Sequence, residues 1–497
     1  MLPEIFIESI KKNFPGEAES FLKSYKLPPL HGLRMNALKI TDVEYFKNLL
    51  EMDLSPVNWC GGGFYYPGGE RPAKSPFYHA GLFYIQEPGA MAAVSALGVR
   101  PGDMVLDMCA SPGGKATQIA AILNGEGVLI ANDARASRIG SLVKNIELQG
   151  VTNCVILNER PERVSIAYPE FFDRVLVDAP CSGEGMLRKD PEAARDYGRF
   201  KTELTAMQKN ALRHAALTLK PGGRLVYSTC TFSPEENERV IEDFLKTNND
   251  FNAAPIDFNG LGLPEGCRAD FGARMWPHIV KSEGHYISLL EKKGFVNSGD
   301  VSENAPNGKQ NKNEFIRQKK RAESRKTVYD AKKTRPDISP FKSFCDENLN
   351  VSFDEKFDFY LRPHEGNMGR EASGALYLIP KDLNSAGGFN INGERGGANN
   401  DQNGLRRVRP GFYAGDLRGV FTPSQAFAMG LKMRDAKKTV DLAKNDERLI
   451  KYLRGESFGA DLSDGLTLVC VEGFPLGWGK MINGVLKNKY QKSWAVN

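Results

Sequence analysis

Two short runs place a cysteine where a predicted strand gives way to a polar turn. In Arg174–Leu187, RVLVDAPCSGEGML, a buried strand ends at Asp178 and leads through Ala179 and Pro180 to Cys181. Pro180 holds Ala179 extended and stops the strand. In Arg224–Asn237, RLVYSTCTFSPEEN, a strand ends at Cys230, and the Ser-Pro-Glu-Glu run from Ser233 reads as a helix start. A cysteine taken alone is most often a small buried hydrophobe. Two of them at the ends of two strands, each against a polar loop, point to thiol chemistry. One reaction that needs such a pair is methylation at carbon 5 of cytosine, a carbon too weakly nucleophilic to attack a methylsulfonium. A thiolate that adds to carbon 6 makes carbon 5 enamine-like, which divides one hard step into easier ones. An acid near ring nitrogen 3 is needed to stabilise the adduct, and Asp178 is the candidate. A second thiol assists the final release of the first. The attacking thiolate needs nearby positive charge or hydrogen bonds to exist near neutral pH.

A third run, Val105–Ala120, VLDMCASPGGKATQIA, reads as strand, small-residue loop and helix. Gly113 and Gly114 let the backbone come close to a ligand at the helix N-terminus. The spacing matches neither Gly-x-Gly-x-x-Gly nor the Walker phosphate loop. A tight turn between strand and helix, or a cradle for the amino-acid end of S-adenosylmethionine, both fit it. Asp133 closes the next strand about 20 residues on, the placement of an acid that accepts hydrogen bonds from ribose hydroxyls. An acid there also serves as a helix cap, and its pairing with the Gly-rich loop favours the ligand role.

The elements that must position these residues follow a regular alternation. Short apolar runs at Met104–Asp107, Val128–Asp133, Cys154–Leu157, Arg174–Asp178 and Arg224–Ser228 are separated by helical stretches. This pattern predicts a doubly wound, mostly parallel α/β sheet of Rossmann-like form, with ligands at the carboxyl ends of its strands. Ahead of it, residues 1–76 mix helical periodicity (Ile5, Ile7, Ile10, Phe14) with an extended run at Leu33–Leu38, a small α+β domain. The sheet occupies residues 77–292. Residues 293–339 read as a basic flexible linker, 340–404 as a first C-terminal segment with a polar stretch from Ser385 to Gly404, and 405–497 as a small β-rich module.

Composition sets the outer limits. The 497 residues exceed one core, and 41% hydrophobic with 26% charged residues is ordinary for soluble protein. No apolar run is long enough for a membrane span and no secretory signal opens the chain. Eight scattered cysteines without a Cys-x-x-Cys disfavour disulfides and structural zinc, so no metal is expected and a reducing cytoplasm fits. The formal net charge is +5, yet Lys309–Arg335 alone carries eleven Lys or Arg against three acids, so the rest is slightly acidic. A localised basic stretch suits a polyanion, or a solvated linker.

DMCASPGGKATQIA, DAPCSGEGMLRKDP and YSTCTFSPEENERV closely resemble the motifs of the Nop/Sun family of RNA 5-methylcytosine methyltransferases, as do LRMN (Leu33–Asn36) and YIQEPGAMAAVSAL (Tyr84–Leu97). The resemblance implies a class I methyltransferase core, S-adenosyl-L-methionine as cofactor and RNA as substrate. It assigns the nucleophile to Cys230 and release of product to Cys181, with Asp178 at the cofactor and base end. It implies a cofactor loop of Cys109, Ala110, Ser111, Pro112, Gly113, Gly114 and Lys115, with Asp133 on the ribose and Arg138 just after it. The family's acid near the adenine is not matched, for VILNERPERV offers Asn158 and Glu159 instead. The C-terminal LRRVRPGFYAGDLRGVFTPSQAFAMGL and LVCVEGFPLGWGKMINGVLKNKY are similar to the tail of bacterial RsmF-like ribosomal RNA methyltransferases, with a PUA-like RNA-binding module. Lys480, Lys487, Lys489 and Tyr490 are its candidates for phosphate contact and base stacking, and Trp478 for its core. The expected substrate is small-subunit (16S) ribosomal RNA or the 30S subunit, with transfer RNA as the alternative built on the same core. A binding factor without turnover is a further class, disfavoured by the intact cysteines and loop.

Overall fold

The computed structural model describes residues 2–189, 201–294, 337–364, 373–385 and 404–496. The basic stretch Lys309–Arg335 and most of the polar stretch from Ser385 to Gly404 lie outside the described residues.

Eight of the ten strands of the central sheet are β1 (Met104–Asp107), β2 (Val128–Asn132), β3 (Cys154–Leu157), β4 (Phe172–Asp178), β5 (Leu219–Thr229), β6 (Gly272–Met275), β7 (His285–Lys292) and β8 (Arg407–Arg409). Their order is β6-β7-β5-β4-β1-β2-β3-β8. The five strands from β3 to β5 in this order are parallel, whereas β7 runs antiparallel to β5 and β8 antiparallel to β3. Strands β1 to β3 are buried on both faces, which is why they read as unbroken apolar runs rather than alternating ones. From β1 the chain winds outward to β3 and then returns to the other side at β4. The switch point therefore lies between β1 and β4, and the loops leaving them open on one crevice.

The N-terminal unit has a four-stranded sheet of Ser55–Pro56, Gly63–Tyr65, Gly32–Met35 and Phe83–Ile85, so it continues past the boundary drawn at residue 76. Its first helix, Glu4–Asn13, buries Phe6 and Ile10, one turn apart, while Ile5 is 66% exposed. Of the periodic residues, Ile10 is thus buried and Ile5 is not, Phe6 taking the inward place. Arg34 joins this unit to the sheet, donating through Nε to Gln86 Oε1 at 2.9 Å and through its terminal nitrogen to Gly114 O at 3.0 Å and Thr117 Oγ1 at 2.8 Å.

At the C-terminal end, Phe357–Pro363, Ser373–Pro380, Phe412–Arg418 and Val420–Pro423 form one sheet, and five strands between Thr439 and Asn488 form another. Strand β8 meanwhile extends the central sheet. The boundary drawn at 404/405 therefore falls inside a continuous arrangement. The strands Gly465–Val471 and Phe474–Ile482 are joined at Glu472-Gly473, both with positive φ (48° and 82°), and the next turn, Asn483-Gly484, has φ 49° and 75°. Asn-Gly between two strands is the two-residue hairpin signal, and positive φ at both central residues matches the twist of the flanking strands. This module shares one apolar cluster with the N-terminal unit, Phe46, Leu49 and Phe83 meeting Val440, Val469 and Trp494. Trp478 is core, as expected. Tyr490, offered above as a base-stacking side chain, is also core: it is 5% exposed and packs with Tyr452 at a ring separation of 5.4 Å. Among the described residues no helix is long and apolar enough to cross a membrane.

Candidate active site

Parallel register sets Asp178 of β4 opposite Ser228 of β5, so the turns that follow them leave the sheet side by side. Cys181 Sγ and Cys230 Sγ consequently lie 3.3 Å apart. The Cys230 carbonyl accepts the Gly185 N–H at 2.8 Å, and a Cβ at residue 185 would lie 2.7 Å from Gly284 O and 3.0 Å from Cys230 O. Only glycine allows the DAPCSGEG turn to press this closely on the cysteine. Glu184 reaches under the second turn and accepts the Phe232 N–H at 2.8 Å. The helix expected from Ser233 begins only at Glu238. The intervening residues are drawn into the site: Asn237 accepts from Thr229 Oγ1 at 2.6 Å and donates to Thr231 O at 2.9 Å, and Glu236 binds the Cys181 turn.

Between the cysteines and the first loop lies a charged cluster. Lys115 Nζ is 2.7 Å from Asp178 Oδ2, and Ser228 Oγ donates to Asp178 Oδ1 at 2.9 Å. Burial raises the Asp178 carboxyl, but Lys115, His285 and these hydrogen bonds outweigh it and hold the group below the usual carboxylate range. Burial lowers the Lys115 ammonium, but Asp178 outweighs it and raises the group on balance. His285, at the start of β7, stands with Nε2 3.8 Å from Asp178 Oδ1, and burial together with Lys115 pushes it down to about 3, so it is neutral. The Cys181 thiol is raised well above the ordinary thiol range, first by its hydrogen bond to Cys230, then by burial.

The first loop follows β1. The Ala110 N–H is held by Asn132 O at 2.7 Å, the Ser111 N–H by Asp133 Oδ2 at 3.3 Å, and Asn145 Nδ2 donates to Pro112 O at 2.8 Å. Gly113 precedes the helix Gly114–Leu123 with φ 116°, a conformation that favours glycine. Arg138 donates to the Ser111 carbonyl and sits 3.6 Å from Asp133. Cys109, Ala110, Ser111, Pro112, Gly113, Gly114, Asp133 and Arg138 are thus brought together as one cradle, while Lys115 turns from it toward Asp178. Asn158 lies beside this cradle, its Nδ2 donating to Asp133 O at 2.8 Å, while Glu159 accepts the Arg406 N–H at 2.5 Å and lies 3.4 Å from Arg163.

Asp107 closes β1 under this cradle, fully buried, with the Cys109 N–H facing it but no hydrogen bond completed on either carboxyl oxygen. Burial, then the negative charge of Asp178, push it up to about 8. An acid raised on folding stabilises the native state below its unfolded value, near 3.8, and loses that contribution as pH rises through the folded one. Asp107→Asn is therefore expected to leave stability at pH 4 nearly unchanged and to raise it at pH 8.5. Thermal melts across this range read the difference, and a parallel loss at both pH values would contradict the assignment.

Residues 94–291 match the family model described as 16S rRNA methyltransferase RsmB/F, residues 2–88 the N-terminal domain of 16S rRNA methyltransferase RsmF, and residues 439–496 the methyltransferase RsmF PUA domain. Residues 94–291 thus form a methyltransferase core of the RsmB/F family. It is 40% identical over 308 residues to ribosomal RNA small subunit methyltransferase F of Erwinia tasmaniensis, covering 59% of this chain and 64% of that protein. It is 39% identical over 317 residues to the same-named protein of Vibrio vulnificus, covering 61% and 66%. The matched part thus spans just under two thirds of the length of these relatives. A solved structure of a methyltransferase homolog protein from Pyrococcus horikoshii superposes with a TM-score of 0.51 at 28% identity, covering 58% of this chain and 95% of that one. The RsmB/F core accounts for the doubly wound, Rossmann-like sheet read from the strand pattern, and the PUA match for the β-rich end. Sequence reading missed His285 and Gln208, which stand in none of the marked runs, and took Glu236 for part of a helix start.

Proposed function

We propose that this RsmB/F family member transfers a methyl group from S-adenosyl-L-methionine to carbon 5 of a cytosine in 16S ribosomal RNA, with Cys230 as the nucleophile. The observation that carries the reading is the thiol pair, 3.3 Å between sulfurs, set just past the ends of β4 and β5 beside an Asp178–Lys115 ion pair.

The cofactor fits the residues present. Asp107 and the Ser111 hydroxyl are buried polar groups without hydrogen-bond partners at the loop, the kind of atoms a polar ligand satisfies. Residues 109–114 would hold its amino-acid end, and Asp133 with Arg138 its ribose. When bound, the cofactor supplies an electrophilic methyl group on sulfonium.

The chain's own residues do the rest. Cys230 sulfur bonds to carbon 6 of the flipped cytosine, and the electron pair of the 5,6 double bond is made available at carbon 5. Nitrogen 3 takes up a proton from solvent water as the adduct forms, its N–H donates a hydrogen bond to the Asp178 carboxylate, and that proton returns to solvent once carbon 5 carries the methyl group. A carboxylate held this low acts as acceptor and countercharge rather than as the proton source. After transfer the proton on carbon 5 leaves to a base, the 5,6 double bond re-forms, and the carbon–sulfur bond breaks with its electrons returning to Cys230. Cys181 stands at the sulfur that must leave, placed to give that thiolate a hydrogen bond.

The PUA module supports the RNA substrate. Lys480 and Lys487 are exposed and directly opposed on neighbouring strands, and Lys489 is exposed nearby. Like charges facing across a strand pair are destabilising without a counter-anion. Changing all three to Glu is expected to weaken RNA binding at least tenfold and to flatten its salt dependence, with cofactor affinity unchanged. Equal RNA affinity in a filter-binding titration would remove this face from the interface. Incubating purified protein and labelled S-adenosylmethionine with 30S subunits, naked 16S RNA and bulk transfer RNA tests the substrate. Label in the first or second supports the reading, label only in transfer RNA replaces the substrate, and label in none overturns it.

A further inference from the structure

Beneath the two cysteines lies a carboxylate that the steps above do not use. Glu236 is fully buried. Its Oε1 accepts Ser182 Oγ at 2.6 Å, and its Oε2 accepts the Ser182 N–H at 2.9 Å and Gln208 Nε2 at 2.9 Å. All three partners donate, so the group is used as an acceptor only, the role of an ionised carboxylate. Among the described residues no cation pairs with it. A buried charge satisfied by neutral donors alone is an expensive arrangement to keep.

Its contacts fix both sides of Cys181. Gln208 Nε2 also donates to Pro180 O at 2.9 Å, so one amide joins the residue before the cysteine to the carboxylate that holds the residue after it. Ser182 Oγ gives its proton to Glu236 and receives the Thr231 hydroxyl at 2.8 Å, which links the residue following Cys181 to the residue following Cys230. The geometry is nearly symmetric about the sulfur pair, but the charge is not. The Glu236 anion is tied to the Cys181 turn, while the Lys115 ammonium acts on Cys230.

We propose that Glu236 makes the two cysteines unequal: its buried charge, fixed to the Cys181–Ser182 turn, keeps the proton on Cys181 and leaves Cys230 as the thiolate that attacks. Naming Cys230 as the attacker rests on the function proposed above. Of the groups facing Cys181, Cys230, burial and Glu236 raise its thiol and outweigh the opposing Gly183 N–H. Tyr227 lies beneath, its hydroxyl already donating to the Glu236 carbonyl at 2.6 Å. Glu236 touches no reacting atom here, so it is a positioning residue.

The test needs no RNA. In the full-length chain, initial rates of iodoacetamide alkylation at Cys181 and Cys230 are measured separately by peptide mass spectrometry from pH 6 to 10. In the unaltered protein Cys230 is expected to react first at neutral pH; faster reaction at Cys181 overturns the proposal without any variant. Glu236→Gln keeps the shape and can satisfy the same donors once the Ser182 hydroxyl rotates. It is expected to move the Cys181 profile down by about one pH unit, roughly a tenfold faster reaction below the midpoint. The same shift is expected for Glu236→Gln in a Cys230→Ala background, where the neighbouring sulfur no longer contributes. An unmoved Cys181 profile in both backgrounds, with unchanged melting temperature, would reduce Glu236 to a loop tie. Because the readout is thiol reactivity, it stands or falls separately from RNA methylation.

Discussion

Cys181→Ala protein mixed with substrate RNA and S-adenosylmethionine is expected to accumulate a covalent protein–RNA species, seen as a slow band on a denaturing gel, while Cys230→Ala forms none and yields no product. The two residues look alike in sequence, each a cysteine just past a strand end. What separates them is the electrostatic setting. The thiol proton is held on Cys181 by its neighbours, whereas Cys230 faces the Lys115–Asp178 pair. Removing the nucleophile eliminates the covalent path, with turnover falling on the order of 10⁴-fold or more. Removing the neighbour leaves attack and methyl transfer possible but deprives the departing thiolate of its hydrogen bond, so the adduct persists. RNA affinity in both variants should match the unaltered protein. A stable band from Cys230→Ala and none from Cys181→Ala would exchange the two roles.

Lys115→Met is expected to have the second largest effect, on stability and on catalysis together. Lys115 is 10% exposed in its side chain and, His285 being neutral, is the only cation within ion-pair distance of Asp178 among the described residues. Without it, Asp178 faces buried Asp107 with no countercharge. Removing one partner of a buried pair costs about 3–5 kcal/mol, and the 31% exposure of the Asp178 side chain places this case toward the lower end, about 3 kcal/mol. The variant should melt at lower temperature at pH 7. The deficit should shrink at low pH, because a carboxyl held below its usual range contributes stability above its unfolded pKa and loses it as pH falls through the folded one. Lys115→Met combined with Asp178→Asn should recover much of the melting temperature without recovering activity. A double variant as unstable as the single would show that packing of the lysine stem, not its charge, is what the site needs.

The sheet was legible because its strands are buried on both faces: Met104–Asp107 and Cys154–Leu157 are strands with the bounds the apolar runs suggested. The loop positions followed from the same logic, since a parallel sheet delivers its strand ends to one edge. Long-range capture was not legible. Nothing local in RRVR says that Arg407–Arg409 will pair with β3, or that Arg406 will occupy Glu159. Nor does a Ser-Pro-Glu-Glu run announce that its second acid will turn inward under a neighbouring loop and delay the helix to Glu238. Tyr490 shows the reverse failure: beside three lysines it reads as a surface aromatic, yet the N-terminal unit covers it. In each case a partner more than 50 residues away, or a separate unit of the fold, decides where the side chain goes.

The most direct measurement is bisulfite sequencing of total RNA from cells with and without the gene. One cytosine in 16S ribosomal RNA protected only when the gene is present, and again when it is restored by the unaltered chain but not by Cys230→Ala, is the predicted result. An unchanged pattern in every RNA would contradict the account.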